Sequence, residues 1–248
     1  MNQKKIIFLG EKPLALKCLK ILCKKKNIKI IGLVTRKKGN FWWEQEKLIN
    51  FAKQNNIRII KKEILENLKA DLLISVLYPF ILNKKILMNS KLSVNLHQGP
   101  LPELKGKYSN YHCIMNNMKY FGSTFHVIDS KLDSGEIIEK KIFKVSETDT
   151  AIELYEKNDQ VAFDIFKRNI NKILNFKFKT FKQLKSKNSK SYSINSIKNE
   201  VKNIKNKKKL WNLVRANEFP PFSPAFIKYK SKKIYLITNP KIHFDKEK

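Results

Sequence analysis

Residues 5–9, Lys-Ile-Ile-Phe-Leu, stopped at once by Gly10, set the frame for the whole chain. A short, apolar, β-branched run of this kind reads as a strand buried on both faces. The next stretch opens with Pro13, which suits a first helical turn, and carries Leu14, Leu16, Cys18, Leu19, Ile21 and Leu22 as a broad apolar face. The alternation then repeats: the pattern predicts strands at 28–34, 57–60, 71–77 and 93–96, with a helix over 41–54. Strands alternating with helices predict an α/β fold with a mostly parallel central sheet covered on both sides. In such sheets ligands gather at the carboxyl ends of the strands, where the turns open a crevice. That rule directs attention to Gly10, Glu11 and Lys12, to residues 78–82, and to Asn95 and His97.

Downstream, the pattern predicts a short helix at 108–117, strands at 122–128 and 136–145, and a long helix over 149–174 capped by Thr148 or Asp149. A Lys/Ser/Asn-rich loop or linker is expected at 182–193 and a basic helix over about 197–217. The breaker run Phe219-Pro220-Pro221-Phe222-Ser223-Pro224 then separates that helix from two short strands, 225–229 and 232–237. A chain of 248 residues fits one main domain, and the expected division is 1–176 for the main unit and 177–248 for a small helix-and-hairpin extension.

Bulk properties narrow the class. No run approaches the roughly 18 apolar residues of a membrane span. The Lys4-Lys5 start is too soon interrupted by Glu11-Lys12-Pro13 for a secretory signal. A cytoplasmic protein with no membrane insertion is expected. Cys18, Cys23 and Cys113 form neither an even disulfide framework nor a zinc spacing, so no metal is expected. The net charge of +31 raises the possibility of a nucleic-acid partner. Lysine is spread along the chain together with abundant Asn and Ile, as compositional bias would produce, so nucleic acid is not the expected main partner. A positive field does favour an anionic substrate.

The chemistry concentrates in residues 93–138. Asn95 and His97 end a predicted strand, where alternate side chains share a face. An amide donates to a developing oxyanion, and an imidazole moves a proton near neutral pH. Gly99, Pro100 and Pro102 then turn the chain away, leaving both groups at a cleft. Asp133, in the turn Asp133-Ser134-Gly135, is placed to reach the imidazole, orient it and stabilise its charged form. Amide, imidazole and carboxylate together suit acyl transfer to an amine, with no nucleophilic side chain required.

These residues resemble the formyltransferases that use 10-formyltetrahydrofolate. The resemblance rests on Asn95-Leu96-His97, Pro100-Leu101-Pro102, Gly106, the strand 122–129 (Gly-Ser-Thr-Phe-His-Val-Ile-Asp) and the run 132–138 (Leu-Asp-Ser-Gly-Glu-Ile-Ile), and it extends more weakly over 6–174. It implies a Rossmann-like fold, catalytic roles for Asn95, His97 and Asp133, and 10-formyltetrahydrofolate as formyl donor. The folate pocket it implies is walled by Leu77, Tyr78, Pro79, Phe80, Ile81 and Leu82 on one side and by Asp129 and Leu132 on the other. Gln98-Gly99-Pro100-Leu101-Pro102 departs from the Pro-Ser-Leu-Leu-Pro common in that family, which bears on the contacts of this turn.

For the acceptor, Arg215-Ala216, Phe219-Pro220-Pro221-Phe222 and Ala225-Phe226 resemble the tail of the sugar N-formyltransferases, as do Tyr108 and His112. The implied acceptor is the amine of a nucleotide-linked amino deoxysugar. Its contacts are expected from Gly10, Lys12, Gly99, Tyr108 and His112, and the resemblance further implies a homodimer. Two alternatives stand beside this reading: formylation of methionyl-tRNA, and a basic RNA-binding module on an enzyme-like fold. A nicotinamide enzyme is disfavoured, because Gly10-Glu11-Lys12-Pro13 lacks the spaced glycines that admit a pyrophosphate.

Overall fold

The computed structural model describes residues 3–39, 41–184, 189–202 and 205–238. Its centre is a six-stranded sheet in the order β2 (Ile28–Val34), β1 (Lys4–Gly10), β3 (Ala70–Val76), β4 (Ser90–His97), β6 (Tyr120–Val127) and β7 (Ile137–Lys144). β2, β1, β3 and β4 pair in parallel, and β6 is antiparallel to both β4 and β7. The expected α/β class with a mostly parallel sheet is therefore the observed one.

Alternation along the strands builds two cores. Ile6, Phe8, Leu72, Ile74, Val94 and Leu96 face one side. There they meet α1 (Lys12–Cys23), α2 (Gln45–Gln54) and α5 (Ala151–Leu174). The intervening residues Ile7, Leu9 and Leu73 face the other side, covered by Leu65 of a 3-10 turn (Lys62–Asn67), Leu82, and Ile86 of α3 (Lys84–Met88). Burial on both faces is why these strands read as unbroken apolar runs.

Four local expectations change. The helix expected from residue 41 begins at Gln45, because the Phe41, Trp42 and Trp43 rings pack among themselves and onto Tyr155 and Phe219. Residues 57–60 form only a bridge to β2, with two backbone bonds (Leu33 N–H to Arg58 O, 2.8 Å; Ile60 N–H to Leu33 O, 2.9 Å). Ile60 is spent instead on filling the space over Gly32, where a Cβ would lie 2.6 Å from its Cδ1. The cap of α5 is Thr150, whose side chain accepts from Glu153 N–H while the Glu153 carboxylate accepts from Thr150 N–H. Asp149 instead accepts from Ser146 N–H and pairs with Lys157.

The tail holds the fourth change. Helix α6 spans only Lys207–Ala216, whereas Val201 and Asn199 bond the backbone of Phe226 in β9 (Ala225–Tyr229), which pairs with β10 (Lys232–Leu236). β8 (Lys190–Tyr192), inside the passage expected as loop, pairs in parallel with β5 (Leu104–Gly106). Residues 185–188 of that passage lie outside the described residues. Arg215, 5% exposed, ties the tail to the start of α5 by donating to the carbonyls of Ser146 (3.2 Å) and Asp149 (2.7 Å). Ala216 shares an apolar cluster with Tyr111 of α4 (Ser109–Met115) and Leu154 of α5. Among the described residues, no helix is long and apolar enough to cross a membrane.

Candidate functional site

The carboxyl end of β4 places Asn95 and His97, as the strand pattern anticipated. β6 lies antiparallel to β4 with His126 opposite Asn95, so a second histidine enters the site. The two imidazoles converge on Asp133, which stands in a turn with left-handed backbone (φ 46°) after β6, and the Asn95 amide meets the second of them. His97 Nδ1 lies 3.7 Å from Asp133 Oδ2, and His126 Nε2 lies 3.5 Å from Asp133 Oδ1. Asn95 Nδ2 lies 3.1 Å from His126 Nε2. Gly106 N–H donates to Asp133 Oδ2 at 2.8 Å.

Burial works against a charge on Asp133, but His97 and His126 opposite its oxygens and the Gly106 N–H outweigh it and hold the carboxyl well below the usual carboxylate range. The carboxyl is thereby held in its ionised form. Around it, the backbone fixes the tautomers, because a carbonyl can only accept. His97 Nε2 is 2.7 Å from Leu104 O and His126 Nδ1 is 2.8 Å from Val127 O, so each of these nitrogens carries a proton. His97 Nδ1 and His126 Nε2 are left to face the carboxylate.

Glycines make the cluster possible. A Cβ on Gly99 would lie 2.6 Å from His97 Nε2 and 2.8 Å from Leu104 O, on top of the bond between them. Gly106 adopts φ 85°, and a Cβ there would lie 2.3 Å from Tyr192 O. Thr124 braces the turn, donating to Gly99 O at 2.8 Å and accepting from Leu101 N–H at 3.1 Å. Gln183 of the tail donates to Asp133 O and Gly135 O, holding the loop from the far side. His126, Gly106 N–H and Gln183 were not assigned roles from the sequence. Strand pairing brings the first to Asn95, and only the antiparallel register of β4 and β6 could have announced it.

The residues expected to wall a folate pocket take up two positions. Tyr78 and Leu82 share an apolar cluster with Ile128, so the loop after β3 and the end of β6 meet at their bases. Phe80 (47%), Ile81 (67%) and Leu132 (40%) are large apolar side chains left exposed. Leu77 is left-handed (φ 54°) and turns the loop at Pro79. Asp129 serves its own loop: its Oδ1 accepts from Lys131 N–H (3.0 Å) and Ser134 Oγ (2.6 Å).

The expected substrate contacts divide. Lys12 (φ 70°) carries its ammonium within 6 Å of three rings, Trp42 (5.8 Å), Trp43 (5.9 Å) and Tyr155 (5.4 Å). Burial pushes this ammonium down to about 8, against the pull of Glu11 and Asp159. Beside it, buried Glu11 accepts both arms of Arg36 (2.7 and 2.6 Å). Tyr108 is half-buried, with left-handed backbone (φ 58°) just before α4. Two contacts have other work in this structure. Gly10 is required by packing, since a Cβ would lie 2.6 Å from Ala15 Cβ. His112 is buried, stacked on Tyr192 at 3.6 Å and bonded to Ser196 Oγ at 2.8 Å, and burial pushes its imidazole down to about 4. Among the described residues no group of three or more His, Cys, Asp or Glu is placed to hold a metal ion. Cys18 and Cys113 are buried thiols.

An anionic carboxylate between two imidazoles, with an amide alongside, is an arrangement that could move a proton next to a carbonyl that gains charge. Comparison with known proteins bears on the chain as a whole. The chain is 25% identical over 246 residues to a methionyl-tRNA formyltransferase of Malacoplasma penetrans, covering 94% of this chain and 77% of that one. A 4-N formyltransferase from Francisella tularensis has the same fold, with a TM-score of 0.82 at 22% identity, covering 95% of this chain and 97% of that one. An N-formyltransferase from Helicobacter canadensis, solved with folinic acid and dTDP-3-aminofucose, superposes with a TM-score of 0.78 at 26% identity, covering 94% of this chain and 86% of that one. The sequence profile of the formyl transferase family matches residues 4–170, and the chain therefore belongs to that family.

Proposed function

We propose that this protein transfers the formyl group of 10-formyltetrahydrofolate to the amine of a nucleotide-linked amino deoxysugar. The observation that carries the chemistry is the placing of His97 and His126 against an ionised Asp133, with the Asn95 amide on His126, at the strand ends. Support for the donor comes from Phe80, Ile81 and Leu132, which present apolar surface to solvent, as the faces of a flat heterocycle require. The donor supplies an activated formyl carbon. Tyr78, Phe80, Ile81, Leu82 and Leu132 would hold it.

On this reading Asn95 donates to the formyl oxygen as it gains charge. His97 takes up the amine's proton on Nδ1, since the Leu104 carbonyl already engages Nε2. Asp133, an anion 3.7 Å away, stabilises the imidazolium so formed and fixes the ring. The proton is then available to the departing nitrogen. Lys12 and Arg36, with Gly99 and Tyr108 nearer the turn, form the side on which a nucleotide diphosphate would lie.

The acceptor assignment draws support from likeness of structure: an N-formyltransferase solved with dTDP-3-aminofucose superposes on this chain with a TM-score of 0.78 at 26% identity. A homodimer, with the apolar tail at its interface, belongs to the same proposal and is checked by sedimentation. The test of the chemistry is substitution: Asn95→Ala and His97→Ala should each lose formyl transfer while folding normally, and a variant that keeps full activity removes that residue from the reaction. A second reading, formylation of methionyl-tRNA, is favoured by the curated sequence relative and by the charge of +31. Measuring formyl uptake by charged tRNA beside nucleotide amino sugars separates the two.

A further inference from the structure

We infer that His126 is a positioning residue that sets the orientation of the Asn95 amide. The inference rests on the formyl-transfer reading for its kinetic consequence, and on geometry alone for the contact itself. His126 Nδ1 must carry a proton, because it meets the Val127 carbonyl at 2.8 Å. In the neutral ring Nε2 is then an acceptor. Its nearest polar neighbour is Asn95 Nδ2 at 3.1 Å, whereas Asp133 Oδ1 stands at 3.5 Å, a contact that Nε2 makes only as a donor from the charged ring.

An amide can present either end to a ligand, and the two ends do opposite things: the NH2 donates to an oxyanion, whereas the carbonyl repels one. Among the described residues Asn95 has no other protein partner for its side chain. The acceptor on His126 therefore decides which way the group turns. One N–H is held by the ring and the other is left free to donate in a fixed direction. His126 is 2% exposed and stands between Asn95 of β4 and Ile137 of β7, with Asp133 and His97 as its charged and titratable neighbours. It is thus out of reach of a substrate and acts through Asn95.

Glutamine distinguishes this role from others. Its terminal oxygen is as many bonds from Cβ as Nε2 is in histidine, so His126→Gln can still accept from Asn95 but cannot exchange protons. His126→Leu keeps bulk and removes the acceptor. The leucine variant should lose roughly 10- to 100-fold in kcat with KM within about twofold of wild type. The glutamine variant should recover at least about tenfold of that loss. Equal losses in both variants, or a leucine variant with wild-type kcat, overturn the inference. Long-range proton–nitrogen correlation on the ligand-free wild type judges the contact without turnover or a folded variant. The expected result is an Nδ1–H tautomer for His126, and an Nε2–H tautomer or a ring protonated on both nitrogens would overturn the assignment. Should wild type formylate no amino sugar, the functional reading fails, and the tautomer measurement still decides the contact.

Discussion

Gly99 offers a sharp perturbation. Only Gly39 and Gly106 among the described glycines have left-handed φ, so alanine meets no backbone penalty at 99 and the cost is steric alone. The added Cβ would lie 2.6 Å from His97 Nε2, 2.8 Å from Leu104 O and 2.9 Å from Ser109 Oγ, where ordinary contact begins at 3.4 Å. The imidazole must therefore recede by roughly 0.8 Å, which breaks its bond to Leu104 O and shifts Nδ1 relative to Asp133. Overpacking of this kind costs about 1–3 kcal/mol. In a chain of this size that lowers Tm by roughly 2–12 °C. A displacement near 1 Å at reacting groups costs on the order of 100-fold in rate. Gly99→Ala should accordingly stay folded at 25 °C, lose on the order of 100-fold in kcat, and bind a folate analogue nearly as well as wild type. Steady-state formyl transfer and a thermal melt measure all three. A Gly99→Ala protein within twofold of wild-type kcat would refute the argument that this glycine guards the His97–Leu104 contact.

Other predictions follow from the same geometry. Asp133→Asn removes the anion between the imidazoles and should cut kcat by about 100- to 10,000-fold, read in the same assay, with little change in KM. Lys12, held at about 8, is charged below that pH and neutral above it. If it faces the substrate's diphosphate, KM for the nucleotide sugar should rise about tenfold between about pH 7 and about pH 9.5, and Lys12→Arg, which keeps its charge, should flatten the rise. Arg215→Leu leaves the Ser146 and Asp149 carbonyls without their donor and should destabilise the protein by about 1–3 kcal/mol, seen in urea unfolding together with earlier proteolysis of the tail.

What the sequence disclosed, and what it hid, divides along a physical line. Strands buried on both faces announce themselves, and 5–9, 28–34 and 71–77 match β1, β2 and β3 within a residue. Asn95, His97 and Asp133 stand out in sequence because turn chemistry and strand-end position coincide there, and the fold brings His97 and Asp133 to 3.7 Å. Tertiary context decided the rest. The apolar run 57–60 reads like a strand, yet Ile60 covers Gly32 from outside the sheet edge. Residues 41–43 have helical pattern but are drawn into an aromatic cluster with Tyr155 and Phe219. The backbone at 199–201 leaves the expected helix because Phe226 of β9 accepts and donates there. His126 and Gln183 are ordinary residues in sequence, and strand register and a returning tail bring them to the site.

The central claim is most directly tested by offering purified protein 10-formyltetrahydrofolate together with a panel of dTDP- and UDP-linked amino deoxysugars, with methionyl-tRNA in parallel. Products are read by mass. The account predicts that at least one nucleotide sugar gains a formyl group in place of an amine hydrogen, with a kcat/KM well above that for tRNA, and that His97→Ala abolishes the gain. Efficient formylation of methionyl-tRNA with none of any nucleotide sugar would contradict it.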